Sequence, residues 1–155
     1  MNALVNQTKL TFRIMCLQDV EQVMEIEERA YPFPWTNKIF IDCIQAGYHC
    51  WVVERNQVMV GYVVFINAVG ECHLLNICID PELQGQGMGR RLLQQVVDAV
   101  RLDRVKCVFL EVRPSNTRAV RLYESEGFNE VGVRQKYYPT KNGREDAIIF
   151  AKEIQ

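Results

Sequence analysis

Three glycines alternate with other residues in a short stretch that joins a predicted strand to a predicted helix. Gly85, Gly87 and Gly89 stand between the nearly uncharged run 74–79 and an amphipathic run that begins at Arg90. A glycine-rich turn of this kind exposes backbone N–H groups, and the N-terminus of the following helix adds a partial positive charge. The stretch therefore favours an anion with several oxygens, most naturally a phosphate or pyrophosphate.

The spacing of this loop excludes two common phosphate-binding motifs. The dinucleotide fingerprint requires a third glycine where this chain has Arg90, and the P-loop requires a Gly-Lys-Ser/Thr sequence that the loop lacks. The stretch does contain Gln-x-x-Gly-x-Gly, as Gln84, Gly87 and Gly89. A plain strand-to-helix turn would explain one or two of these glycines, whereas three in such a short stretch favour a binding loop.

Length, charge and cysteine pattern narrow the function classes. A chain of 155 residues has the size of one domain, so we expect a single domain over 1–155. The net charge of −1 argues against non-specific binding to nucleic acid or to an anionic membrane. The six cysteines form no C-x-x-C pair, and with two histidines they predict reduced core thiols and no metal site. No membrane span or secretion signal is evident, so we expect a cytoplasmic protein.

Hydrophobic periodicity predicts the elements that must position the loop. We predict strands at 9–15, 48–54, 58–67, 72–79, 105–112, 128–134 and 147–153. We predict helices at 20–29, from Thr36 to Gly47, after Arg90 and at 117–126, with N-caps at Asp19, Thr36 and either Ser115 or Asn116. A long loop, 135–146, joins the last two strands. The order predicts a mixed α/β fold with a mostly antiparallel sheet of about seven strands and four flanking helices.

An aromatic, proline-rich segment separates the first two predicted helices. It reads Tyr31-Pro-Phe33-Pro-Trp35, and its prolines enforce an extended backbone. The residues leave two interpretations open. The segment is either a rigid connector whose aromatics pack on the core or one wall of a substrate groove.

The glycine loop resembles the acetyl-CoA pyrophosphate loop of the GCN5-related N-acetyltransferases (the GNAT family), and the order of elements resembles their fold over essentially the whole chain. The resemblance implies that the fourth and fifth strands splay apart into a V-shaped slot for the pantetheine arm. The implied cofactor-binding residues are Ile77, Cys78 and Ile79 on the strand, and Gln84, Gly85, Gln86, Gly87, Met88, Gly89 and Arg90 in the loop. Gly85 is a departure, since many members carry arginine there.

Acetyl transfer to an amine needs a base for the amine proton and benefits from an acid for the leaving thiolate. Glu111, near the end of an apolar strand, is a candidate base, because partial burial brings carboxylic acids in general closer to the basicity that this step requires. Tyr123, in the last predicted helix, is a candidate acid. Each has a structural alternative: Glu111 as a salt-bridge partner of Arg113 or a solvent-facing carboxylate, and Tyr123 as a core aromatic.

Longer segments extend the resemblance to one branch of the family. LEVRPSN, NTRAVRLYESEGF and KYYPTKNGREDAIIF, with the Phe33-Pro34-Trp35 loop, resemble the bacterial ribosomal-protein alanine N-acetyltransferases, which modify the N-terminal alanine of small-subunit ribosomal protein eighteen. The resemblance implies that Glu111 is the proton acceptor and Tyr123 the proton donor. It also implies that Asn116, and Tyr123 through the thiolate, contact CoA.

An N-terminal amine is also the easier acceptor, since its pKa is about 8 and that of lysine about 10.4. We hypothesise that the segments 31–35 and 137–146 form the walls of a peptide groove. Its predicted substrate-binding residues are Phe33, Trp35, Tyr137, Tyr138, Glu145 and Asp146.

The expected partner is the N-terminal peptide of a small-subunit ribosomal protein, bound by a monomer or weak homodimer without nucleic acid or membrane. The alternatives are an acetyltransferase for another acceptor, such as other protein N-termini, lysine or a small amine, and a catalytically silent CoA-binding module. Glu111 and Tyr123 are both present beside an intact loop, which argues against the silent module.

Overall fold

Seven strands and four α-helices lie within residues 9–155, which are the residues that the computed structural model describes. The elements are β1 (Leu10–Ile14), α1 (Val20–Ala30), α2 (Asn37–Gln45), β2 (His49–Arg55), β3 (Val58–Ala68), β4 (Glu71–Ile79), α3 (Met88–Leu102), β5 (Cys107–Val112), α4 (Thr117–Ser125), β6 (Asn129–Thr140) and β7 (Gly143–Glu153). The strand order is β1-β2-β3-β4-β5-β7-β6, which confirms the predicted mixed sheet. The start of the chain, where we predict no secretion signal, lies outside the described residues in positions 1–8.

The described residues group into two compact units. Unit 1 contains residues 9–65 and 76–92, and unit 2 contains residues 66–75 and 93–155. The long hairpin β3–β4 contributes to both units. The assignment of the whole chain to a single domain stays a prediction.

The core of unit 1 is formed where the apolar faces of α1 and α2 pack on the sheet. Val23 of α1, Phe40 of α2 and Tyr62 of β3 are fully buried. The Phe40 ring lies 5.1 Å from the ring of Trp35 and 5.7 Å from that of Tyr62, measured between centroids. Because Trp35 packs on this core, the aromatic segment 31–35 has a firm attachment at its end.

One face of β5 is buried in the core of unit 2, and the opposite face is more open. Val108, Leu110 and Val112 are buried, whereas the residues between them, including Glu111, are only half-buried. β5 pairs antiparallel with β7, and β7 pairs antiparallel with β6. The alternation places Glu111 on the more open face of its strand.

The parallel ladder between β4 and β5 is short. It runs from Glu71 opposite Cys107 to Leu74 opposite Leu110. Beyond Leu74, no pairing with β5 joins the described residues 75–79 of β4, as the predicted splay of the fourth and fifth strands requires. Backbone groups of residues 75–79 therefore take no part in the β4–β5 ladder.

The helix caps lie at predicted positions, but one of them lacks the side-chain hydrogen bond. The Thr36 side chain accepts a hydrogen bond from the Ile39 amide, and Asn116 rather than Ser115 caps α4. Asp19 occupies the N-cap position of α1 as predicted, but its side chain makes no capping hydrogen bond there, because a short 3₁₀ turn at 17–19 precedes the helix. The Asp19 carboxylate instead accepts from the Cys16 amide and pairs with Arg13.

The predicted loop at 135–146 is wrong. β6 and β7 continue through it as a hairpin that turns at 141–142, with a register shift between Arg134 and Tyr138 and a left-handed Lys136 at φ +50°. Most side chains of β6 are exposed, so the strand lacks the alternation of buried and exposed residues by which strands are recognised. The bulge also changes which side chains share a face.

Candidate active site

The glycine loop adopts a backbone that requires glycine at two positions. Gly85 has φ +85° and Gly87 has φ +79°, both in the left-handed region. α3 begins at Met88, earlier than predicted, and the Arg91 amide donates to the Gly87 carbonyl. Amides of the first helical turn and of the loop before it are the groups that bind anions in other proteins.

Side chains tie the end of β4 to its surroundings in unit 1. The Ile77 carbonyl accepts from the Tyr31 hydroxyl at 3.1 Å, and the Ile79 carbonyl accepts from the Gln84 amide at 3.1 Å. Gln84 therefore has a structural task, since it folds the start of the loop back onto the strand. Cys78, between them, is 5% exposed.

An ion pair that the sequence analysis missed anchors the residue directly after β4. Both terminal guanidinium nitrogens of Arg29 donate to the Asp80 carboxylate, at 2.7 and 2.9 Å. The hydrogen bond from Arg29 lowers the pKa of Asp80 below its usual range. Asp80 also accepts from the Glu82 amide at 3.0 Å, so this pair fixes the direction in which the chain enters the loop.

A buried carboxylate that the sequence analysis also missed lies in the same unit. Glu27 is 2% exposed and accepts from the Tyr62 hydroxyl at 2.6 Å, the Asn76 amide at 3.1 Å and the Trp35 backbone amide at 2.9 Å. Its position next to Ile26 on the apolar face of α1 was the available signal. The bond to Trp35 favours the rigid-connector interpretation of the aromatic segment, of which Phe33 remains 44% exposed.

Glu111 in unit 2 forms an ion pair with a residue that is distant from it in the sequence. Its carboxylate lies 2.8 Å from the Arg134 Nε, whereas Arg113, named above in one of the two structural alternatives, pairs with Glu145. Burial raises the pKa of Tyr137, and the charge of Glu111 and a hydrogen bond to it act in the same direction. Burial and then the charge of Glu111 raise the pKa of Tyr138 to about 12. The structure thus brings Glu111 together with two of the predicted substrate-binding residues.

Arg113 joins a second cluster in unit 2. It lies 3.1 Å from Glu145, donates to the Pro139 carbonyl at 2.8 Å and stands over the Tyr138 ring at 4.5 Å. Burial acts to raise the pKa of Glu145, but hydrogen bonds from Ser115 and Arg113 outweigh burial and lower this pKa. The charge of Glu145 is therefore already matched within the protein.

The remaining predicted site residues in unit 2 also have structural contacts. Tyr123 is 6% exposed, and its ring packs against Phe128 and Phe150 with centroids 5.8 and 6.2 Å away. The Asn116 side-chain oxygen accepts from the Ala119 amide at 3.3 Å as the cap of α4. The Asp146 carboxylate accepts from the Lys136 amide at the bulge of β6.

In the part of the chain that the structure describes, the buried thiols are protonated and no group of side chains is suited to bind a metal ion. Burial raises the pKa of Cys50 to about 11, of Cys72 to about 12 and of Cys78 to about 11, so these thiols are protonated at neutral pH. No group of three or more metal-ligating side chains occurs within residues 9–155. No helix in the same range has the length and apolar character needed to cross a membrane.

Comparison with known proteins places these features in a family. Residues 20–128 match the model of the Acetyltransferase (GNAT) family. The chain is 42% identical over 136 residues to the [ribosomal protein bS18]-alanine N-acetyltransferase of Escherichia coli (strain K12), covering 88% of this chain and 92% of the relative. It is 39% identical over 144 residues to the enzyme of the same name from Salmonella typhimurium, covering 93% and 97%.

A solved structure agrees with this assignment. The crystal structure of the ribosomal-protein-S18-alanine N-acetyltransferase from Escherichia coli matches with a TM-score of 0.88 and 39% identity, covering 95% of each chain. The two chains therefore share one fold over nearly their whole length. The chain belongs to the GNAT family of acetyl-CoA-dependent N-acetyltransferases.

Proposed function

We propose that this chain transfers the acetyl group of acetyl-CoA to the N-terminal alanine of ribosomal protein bS18 in the cytoplasm. The observation that carries the proposal is the 42% identity to the Escherichia coli enzyme named for this reaction, over 92% of that enzyme's length. The match extends over 88% of this chain, which is the extent expected of two enzymes with the same acceptor.

The residues of unit 1 fit the cofactor part of the proposal. The left-handed Gly85 and Gly87 and the first turn of α3 offer backbone N–H groups suited to the pyrophosphate. Residues 77–79 of β4, outside the β5 ladder, offer backbone groups to the pantetheine arm. The thioester supplies an activated acetyl group, so the protein has to position it and manage two protons.

Glu111 is the proposed proton acceptor. The amine nitrogen forms a bond to the acetyl carbonyl carbon, the carbon–sulfur bond breaks, and the proton released by nitrogen passes to the Glu111 carboxylate. Arg134, at 2.8 Å, restricts the carboxylate to one orientation, and the exposed fraction of the Glu111 side chain, 26%, leaves it accessible. Solvent then takes the proton from Glu111 and resets the base.

Tyr123 is the proposed proton donor. Its hydroxyl proton passes to the departing thiolate, so the products are the acetylated amine and CoA thiol, and Tyr123 recovers a proton from solvent. Packing against Phe128 and Phe150 holds the ring of Tyr123 in place. A fixed ring keeps the hydroxyl in one position while the bond to sulfur breaks.

Two synthetic peptides test the proposed acceptor. One begins Ala-Arg with a free N-terminus, and the other has the same sequence with a blocked N-terminus and an internal lysine. We expect thiol release from acetyl-CoA and a mass increase of one acetyl group on the first peptide alone. Acetylation of the blocked peptide would assign lysine as an acceptor and contradict the proposal. Binding of acetyl-CoA without turnover on either peptide would instead support another acceptor or a silent module.

A further inference from the structure

A cation from the β2–β3 hairpin reaches the glycine loop. Arg55 is the last residue of β2, and its Nη1 donates to the Gln86 side-chain oxygen at 2.9 Å. Asn56 and Gln57 follow with φ values of +53° and +65°, which makes the turn tight and keeps Arg55 at its rim. The hairpin is also tied to the end of β4, because the Asp80 amide donates to the Val60 carbonyl at 2.8 Å.

The charge of Arg55 differs from that of Arg13 and Arg29, because no carboxylate within residues 9–155 is seen to match it. Arg13 pairs with Asp19, and Arg29 pairs with Asp80. Within residues 9–155, the contact recorded for Arg55 is the neutral amide of Gln86. A guanidinium has several N–H donors, and one bond to an amide leaves others available and the positive charge unneutralised.

A cation beside the left-handed glycines would add to the charge of Arg90 and Arg91, which follow in the first turn of α3. Residues 84–89 read Gln-Gly-Gln-Gly-Met-Gly and contain no cation. A side chain at Gly85 would strain the backbone, because φ +85° is unfavourable for any residue with a Cβ. An arginine on a neighbouring strand supplies the charge while glycine keeps the loop conformation.

We propose that Arg55 binds a phosphate of acetyl-CoA, held at the loop by Gln86. The proposal rests on the proposed function, because it takes the glycine loop as the phosphate site of the cofactor. Arg55 is a cofactor-binding residue in this proposal and takes no part in the proton transfers. Its loss should weaken cofactor binding and leave the chemical step unchanged.

The first test measures the KM for acetyl-CoA and the dissociation constant of CoA by calorimetry for Arg55→Ala. We expect both constants to rise about tenfold, with kcat unchanged, since a charge-assisted contact to phosphate is lost. Lys38→Ala is the matched control, because it removes one exposed positive charge that pairs with Asp42 on α2. Equal constants for Arg55→Ala and the wild type would overturn the proposal.

Truncated cofactors separate direct contact from an indirect effect on the fold. Acetyl-pantetheine has no phosphate, so Arg55→Ala and the wild type should use it equally well. A penalty of the same size with acetyl-pantetheine would overturn the proposal. Acetyl-dephospho-CoA then locates the contact: the penalty persists if Arg55 binds the pyrophosphate and disappears if it binds the 3′-phosphate.

A rescue variant and a wild-type comparison complete the test. Gln86→Arg in the Arg55→Ala background returns a cation to the loop at a position without positive φ, and it should recover most of the affinity for CoA. An unrecovered affinity would contradict a role through charge. If the wild type binds CoA and pantetheine equally, the glycine loop is not a phosphate site and the proposed function itself fails in its cofactor part. The calorimetric measurements need no acceptor, so they remain valid whichever amine the enzyme modifies.

Discussion

Glu27 lies on the apolar face of α1 and Glu111 lies in the otherwise apolar strand β5, yet the surroundings of the two carboxylates differ. Glu27 is 2% exposed and accepts from three neutral donors on three different segments of unit 1. Glu111 in unit 2 keeps 26% of its side chain exposed beside Arg134, which is 56% exposed. A carboxylate whose acceptor positions are filled in the core stabilises the fold. One at the surface with an exposed partner can exchange a proton.

The strongest test of this comparison is Glu111→Gln. The amide cannot accept the amine proton, so we expect kcat to fall about 10³-fold, within the range of lost general-base catalysis. The melting temperature should stay close to that of the wild type, because the side chain is partly exposed and of the same size. Initial rates on the Ala-Arg peptide and a thermal melt provide both values. A loss of less than about fivefold would assign the proton to another acceptor.

Glu27→Ala is the reciprocal change. It leaves the Tyr62 hydroxyl, the Asn76 amide and the Trp35 amide without their acceptor, and we expect the free energy of unfolding to fall by about 3 kcal/mol. Urea denaturation measures the loss, with Glu28→Ala on the exposed side of α1 as the control. If Glu27→Ala lowered kcat of the folded enzyme as strongly as Glu111→Gln, the contrast between the two carboxylates would not hold.

Tyr123→Phe separates the hydroxyl of Tyr123 from its ring. The phenylalanine keeps the packing against Phe128 and Phe150, so the fold should be retained. We expect kcat to fall about 30-fold, because the thiolate would leave without a positioned proton donor. Single-turnover rates with acetyl-CoA measure this step. An unchanged rate would return Tyr123 to the role of a core aromatic.

Asp19 and Arg13 provide a carboxylate–arginine pair with a purely structural role. The hydrogen bond from Arg13 lowers the pKa of Asp19 to about 2. Because the folded-state pKa is depressed, the pair stabilises the protein above the unfolded pKa of about 3.9 and loses this effect as the pH falls toward about 2. Asp19→Asn should lower the free energy of unfolding at pH 7 by about 1–2 kcal/mol and flatten its decline between about pH 4 and 2. Its kcat at pH 7 should equal that of the wild type.

Arg134→Gln is expected to have the smallest effect. This variant removes the guanidinium that lies 2.8 Å from the Glu111 carboxylate and leaves the carboxylate itself in place. We expect kcat to fall about fivefold and the KM for acetyl-CoA to stay constant, since an orienting ion pair at the surface is worth about 1 kcal/mol. Arg104→Gln removes the same charge elsewhere in unit 2 as a control. An equal decrease in both variants would indicate a general effect of charge.

Local sequence patterns predicted most of the fold. Strands and helices appear where hydrophobic residues repeat with the matching period, and Thr36 and Gly87 act through groups close to them in sequence. The conformation of the glycine loop was predictable for the same reason, since it depends on consecutive residues from Gln84 to Gly89. The β6–β7 hairpin was not, because exposed residues and a bulge remove the period.

The family, the order of elements, the glycine loop and the candidates Glu111 and Tyr123 could all be predicted without a structure, because each depends on short motifs or on runs of neighbouring residues. The pairing of charges could not, because it depends on the folded arrangement of the chain. Glu111 pairs with Arg134 instead of Arg113, and Glu27 accepts a hydrogen bond from the distant side chain of Asn76. Partners so distant in sequence are selected by strand register and by the burial of polar groups that must find a hydrogen bond.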